Sequence, residues 1–201
     1  MSTESMKASV WKGRLTLLLL LLFFMAPVLI VLFLHTKDWH PQGKSYGELV
    51  SPVRPLRIPE SIEKPILAKS HAATLWNEKW NIVYISSDCE ATCKSRLHDM
   101  RQIHMSLAGD IERLQRVLIS NSDQIKDAAM PYPDMVLINA PQNDVVELAK
   151  QFNLDGEDAL KQDRIYLVDP LGNLMMSYKA NTPAVEIRKD ILKLLKFSWA
   201  G

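Results

Sequence analysis

Trp80-Asn81-Ile82-Val83-Tyr84-Ile85-Ser86-Ser87-Asp88-Cys89-Glu90-Ala91-Thr92-Cys93 contains both cysteines of this 201-residue chain. The aliphatic run Ile82–Ile85, opened by Trp80, predicts a strand over 79–85 that is buried on both faces. Ser87 and Glu90 match a Ser-x-x-Glu capping box, which predicts a helix starting at Asp88. That helix is expected to reach Leu107, with Cys93, Leu97, Met100, Ile103 and Leu107 on one stripe and Gly109 as its stop. Both sulfurs then lie side by side in its first two turns, with Cα atoms ~6 Å apart.

A thiol at that place faces unpaired backbone N–H groups and the positive end of the helix dipole, and both favour thiolate. Asp88 and Glu90 oppose this effect, while Lys94 and Arg96 add to it. Two reduced sulfurs at this spacing can form a bridge or share a soft ion such as Cu(I). As a purely structural staple the bridge closes only five residues, which gives roughly 2 kcal/mol of chain entropy before strain. A domain able to build its own core needs little from such a staple, so Cys89 and Cys93 are read as a functional dithiol.

The segments that follow alternate in type. Arg116–Ser120 and Met135–Asn139 read as strands, and Asn143 caps a helix carrying Val146, Ala149 and Phe152. Ile165–Val168, the turn Asp169-Pro170-Leu171-Gly172 and Leu174–Tyr178 form a hairpin. Thr182-Pro183 opens a last helix with Val185, Ile187, Ile191, Leu194 and Leu195 on its apolar face. Arg188, Lys189, Lys193 and Lys196 fall on its polar side and read as a solvated face. The order β-α-β-(β)-α-β-β-α, with a dithiol at the first strand-to-helix junction, predicts an α/β, thioredoxin-like single domain.

Ahead of this domain, Leu15–Leu34 is a 20-residue run without charge, long enough to cross a hydrocarbon core of ~30 Å. Pro27 is tolerable there. The run exceeds the ~7–15 apolar residues of a cleaved signal and lacks a small-residue cleavage site, so it reads as a retained transmembrane helix. Trp11 and Trp39 flank it as interfacial anchors. Lys7, Lys12 and Arg14 outnumber Lys37, which places the N-terminus in the cytoplasm and the C-terminal domain in the periplasm. The expected layout is 1–14 cytoplasmic, 15–34 transmembrane, 35–75 a Pro-rich tether and 76–201 the thioredoxin-like domain. Pro41, Pro52, Pro55, Pro59 and Pro65 stiffen the tether. Gly47–Val50 and Val53–Leu56 are apolar enough to pack on the domain. The formal charge is +1. Residues 36–201 carry −1 of it, which gives no electrostatic case for nucleic acid.

The block Trp80–Cys93, the hairpin Tyr166-Leu167-Val168-Asp169-Pro170-Leu171-Gly172 and the layout of anchor, tether and one domain resemble the Sco/SenC family of the thioredoxin superfamily. The resemblance covers roughly residues 76–197, and Cys-x3-Cys is its most specific part. It implies a membrane-anchored copper chaperone or thiol reductant for the CuA site of cytochrome c oxidase. The chain departs from the family in two places. Lys94 follows the second cysteine where the family has proline. Lys161, flanked by Leu160 and Gln162, stands where the family keeps its copper-ligand histidine. No proline directly precedes Ile165, where dithiol oxidoreductases keep a cis-proline. His98, His104, Met175 and Met176 are read as surface or core residues, leaving Cys89 and Cys93 as the named catalytic and metal-binding residues.

Three functions follow from this reading. The first is a thiol–disulfide oxidoreductase that keeps an apo copper site reduced during oxidase assembly. The second is a Cu(I) carrier with an incomplete two-cysteine site. The third is a non-catalytic assembly factor docking on another membrane protein. The implied partners are the membrane, crossed once, and the oxidase copper-site subunit or another assembly factor.

Overall fold

The computed structural model describes residues 3–36, 45–60, 62, 75–76, 78–122, 124–139 and 142–198. The chain divides into two units, Met1–Lys44 and Ser45–Gly201. In the first, helix α1 spans Thr3–Thr36 with Pro27 inside it. Its stretch Arg14–Phe33 has mean hydropathy 3.0 and none of it is buried. Among the described residues this is the one helix long and apolar enough to cross a membrane. Trp11 is exposed, whereas Lys37 and Trp39 lie outside the described residues, as do Pro41 and Pro65 of the expected tether.

The second unit is built on a six-stranded sheet. Its strands are β1 (Glu48–Pro55), β2 (Trp80–Ile85), β3 (Leu114–Ser120), β4 (Val136–Asn139), β5 (Ile165–Val168) and β6 (Asn173–Tyr178), in the spatial order β1-β6-β5-β2-β3-β4. β2, β3 and β4 run parallel, while β5 is antiparallel to β2 and to β6. β2 is central, and all six of its residues are buried, as its unbroken apolar run requires when both faces are covered. Helices α2 (Ala91–Met105) and α5 (Ala184–Phe197) cover one face, together with the short α3 (Ile125–Ala129). Helix α4 (Gln142–Lys150) covers the other with Phe152 and Trp76.

The faces are sorted by strand alternation and by one bulge. Ile82, Tyr84, Leu118, Ile165 and Leu167 join the α2/α5 core. Val83, Ile85, Val117, Ile119, Tyr166 and Val168 join the α4 core. Leu167 pairs with Met176 but Val168 pairs with Leu174, so Met175 is the extra residue on β6. The bulge lets Leu174 face one core and Met176 the other, which strict period-two alternation forbids.

Glu48–Pro55, within the stretch whose prolines mark a tether, is a strand. It pairs antiparallel with β6 at the edge of the sheet. Proline is tolerated on an edge because its missing N–H faces away from the ladder. Its pairing shifts between Leu49 and Arg54. The buried Asp190 of α5 holds the entry to this strand: one carboxylate oxygen accepts from Tyr46 N (2.8 Å), Gly47 N (3.0 Å) and Ser45 Oγ (3.2 Å). Lys189 lies over the Tyr46 ring, with Nζ 5.4 Å from its centre. Arg188 is not simply solvated: it donates to Ser106 Oγ and Ser106 O at the end of α2.

Candidate functional site

β2 ends at Ile85 and α2 begins at Ala91, so both cysteines stand at the strand-to-helix junction. The helix starts three residues later than the capping box predicts. Glu90 is the N-cap, in extended conformation, and makes no side-chain cap bond. The stripe is as read: Cys93, Leu97, Met100 and Ile103 are the buried residues of α2. Its end differs. The helix stops at Met105, and Ala108, not Gly109, takes the left-handed φ of 51°.

Cys89 and Cys93 form a disulfide with Cα atoms 4.9 Å apart. The spacing is below the ~6 Å of a continuous helix because Cys89 precedes the first turn. The sulfurs meet, as expected, but they are not on display. Cys89 is 7% exposed and Cys93 2%, and both belong to the α2/α5 core. Cys93 sits on the inward stripe of an amphipathic helix, so burial follows from its position. Of the two, Cys89 keeps the larger exposed share.

The surrounding groups hold the loop in place. Ser86 Oγ donates to Asp88 O, and the amide of Ser87 donates to Leu160 O at 3.3 Å. The second contact brings the 3-10 turn Ala159–Lys161 against the dithiol loop. Lys161 lies in that turn with an exposed side chain, its Nζ 3.9 Å from Asp158. Tyr84, in the same core as the cysteines, donates to Asp163 Oδ1 at 2.5 Å. Burial, and then this bond to a carboxylate, push its phenol well above the ordinary tyrosine value, so the hydroxyl stays protonated. The sequence reading gave Asp163 and Leu160 no part in the site, because contacts this far apart in the chain leave no local signal.

The remaining candidates are placed elsewhere. His98 is exposed, with its ring beside the Gln102 amide. His104 Nε2 contacts the carbonyls of Ile111 and Leu114. Met176 is buried, with its sulfur 3.9 Å from the Tyr178 hydroxyl, and Met175 packs half-buried against the core. Arg164 directly precedes Ile165. It ties the edge strand to the preceding loop through Glu48 (2.8 Å) and Glu157 (3.1 Å). For copper, the two sulfurs are soft donors once the bridge is reduced. Among the described residues no group of three or more His, Cys, Asp or Glu side chains can hold a metal ion.

Residues 80–198 match the family model described as transmembrane-like, thioredoxin-like, C-terminal domain, and the chain belongs to that family. Its fold is that of the Sco structures. Copper-bound ScoI of Arabidopsis thaliana superposes with a TM-score of 0.52 at 16% identity, over 61% of this chain and 88% of its own. Copper-bound yeast Sco1 gives 0.52 at 17%, over 61% and 82%. Apo Sco1 of Thermus thermophilus gives 0.54 at 16%, over 78% and 99%. A search of curated proteins finds no match.

Proposed function

We propose that this chain is a membrane-anchored thiol–disulfide reductant that serves the copper site of cytochrome c oxidase during assembly. The disulfide itself carries the reading. Cys89 and Cys93 are close enough to bridge, and of the two Cys89 is the more accessible. In the forward direction the Cys89 thiolate attacks a disulfide on the partner and expels one partner thiolate, giving a mixed disulfide. The Cys93 thiolate then attacks Cys89 Sγ, releasing the second partner thiolate and closing the Cys89–Cys93 bridge. Two electrons pass to the partner, and its two thiolates take up protons from water. A dithiol donor in the same compartment resets the pair by the reverse exchange.

Helix α1 and the excess of Lys7, Lys12 and Arg14 ahead of its apolar run support an inner-membrane anchor with the N-terminus inside and the domain in the periplasm. Oxidation is the normal fate of thiols there, which is what gives a reductant its use. The test is to mix the reduced full chain, in detergent, with a peptide carrying an oxidised copper-site cysteine pair. Reduction of the peptide with formation of the Cys89–Cys93 bridge is expected. A dithiol inert toward the peptide overturns the reading, as does full oxidase activity in a strain whose chain carries serine at both positions.

Cu(I) carriage is the second reading. It is favoured by the adjacent sulfurs and by the copper in two structures of the same fold. It predicts a single Cu(I) lost in Cys89→Ala and in Cys93→Ala. Because Lys161 lies in the turn that bonds the dithiol loop, Lys161→His should tighten Cu(I) binding; unchanged affinity counts against this reading.

A further inference from the structure

The capping box is present in the sequence and idle in the disulfide form. Ser87 and Glu90 are exposed, and neither side chain makes a hydrogen bond among the described residues. The first bond of α2 runs from Lys94 N to Glu90 O, so the amides of Ala91, Thr92 and Cys93 have no helical acceptor. The bridge is incompatible with a longer helix. It holds the two Cα atoms at 4.9 Å, about 1 Å closer than a helix running through both residues allows. Breaking it removes that constraint and leaves a sequence that codes for a longer helix.

We propose that Ser87 and Glu90 are positioning residues of the redox couple. On reduction α2 begins at Asp88, Ser87 becomes its N-cap, and Glu90 bonds back to the Ser87 amide. The box stabilises the dithiol form and has no counterpart in the disulfide form. This inference rests on reading the pair as a redox couple. Three consequences follow from the geometry. Cys89 enters the first turn, where its thiolate faces the helix amides. The Ser86 Oγ bond to Asp88 O is given up. The Ser87 amide leaves Leu160 O, so the turn Ala159–Lys161 is released from the dithiol loop when the pair is reduced. The redox state is thereby transmitted to the loop that precedes β5.

The experiment equilibrates the full chain with glutathione buffers at fixed pH and measures the dithiol-to-disulfide ratio. Loss of an N-cap hydroxyl costs about 1 kcal/mol, so Ser87→Ala should lower that ratio about fivefold, or ~20 mV for a two-electron couple. Ser87→Thr should restore it, and the denaturant midpoint of oxidised Ser87→Ala should match the parent. Hydrogen exchange at Glu90, Ala91, Thr92 and Cys93 should slow on reduction in the parent chain and not in Ser87→Ala. An unshifted ratio, or equal exchange in both redox states, overturns the proposal. A pair that shows the shift but reduces no peptide disulfide overturns the proposed function and leaves this inference standing.

Discussion

Replacing Asp190 with alanine removes the acceptor that holds the chain where it enters the sheet. One buried carboxylate oxygen takes the amides of Tyr46 and Gly47 at 2.8 and 3.0 Å and the Ser45 hydroxyl at 3.2 Å. A hydrogen bond to a charged group contributes about 1.5–3 kcal/mol. Ser45 and Tyr46 are exposed, so the lower end applies to the two amides and the hydroxyl adds little. The total is ~3 kcal/mol. For a unit of this length that corresponds to a fall in Tm of about 6–12 °C. Asp190→Asn keeps an acceptor oxygen but loses the charge, and should fall by roughly half as much. Thermal unfolding by near-UV circular dichroism measures the shift, and hydrogen exchange at Tyr46 and Gly47 locates it. An alanine variant with parental Tm and parental protection at those amides refutes the reasoning, and with it the inclusion of residues 45–47 in the folded unit.

Leu97 is fully buried on the stripe that carries Cys93. Leu97→Ala should lower unfolding free energy by about 2–5 kcal/mol in denaturant titrations, and a loss under 1 kcal/mol refutes the packing role. Acid should destabilise the domain in two stages. Burial, and then the Arg116 charge, hold His104 below its ordinary 6.5; a base with a depressed folded value stabilises fully above 6.5 and loses that contribution as pH falls below it. Lys179 and Arg164 hold Glu48 below its ordinary 4.5, so its contribution is complete above 4.5 and is lost as pH falls further. His104→Gln should remove the first stage and Glu48→Gln should weaken the second, to which Asp134 beside Arg116 also contributes, in Tm against pH. Curves identical to the parent contradict both assignments.

Much of the fold is legible in short-range pattern. Ile82–Ile85 and Ile165–Val168 are short, unbroken, largely β-branched or aromatic runs bounded by polar residues, the pattern of strands buried on both faces. Asp169-Pro170-Leu171-Gly172 closes the hairpin, with Gly172 at φ 82° where a left-handed residue is needed. The segments around Leu49 and Val53 are legible as packing on the domain, but the edge strand β1 they build is hidden because Pro52 and Pro55 mark a tether, and only its place at the edge makes them admissible. The bulge at Met175 is hidden because it exists only relative to the register of β5. At the site, Cys89 and Cys93 are visible from spacing alone. The late helix start is not: a local capping signal competes with a covalent bond that sequence does not declare. The low exposure of the bridge is set by α2 lying on the sheet, a tertiary outcome.

Cys93→Ser provides the most direct test of the account. The reduced variant, mixed with the oxidised copper-site peptide, should accumulate a mixed disulfide through Cys89, because the attacking sulfur is present and the resolving one is gone. Cys89→Ser should trap nothing, since Cys93, on the inward stripe of α2, is the less exposed of the two buried cysteines. Trapping through Cys93 alone, or in neither variant, contradicts the account.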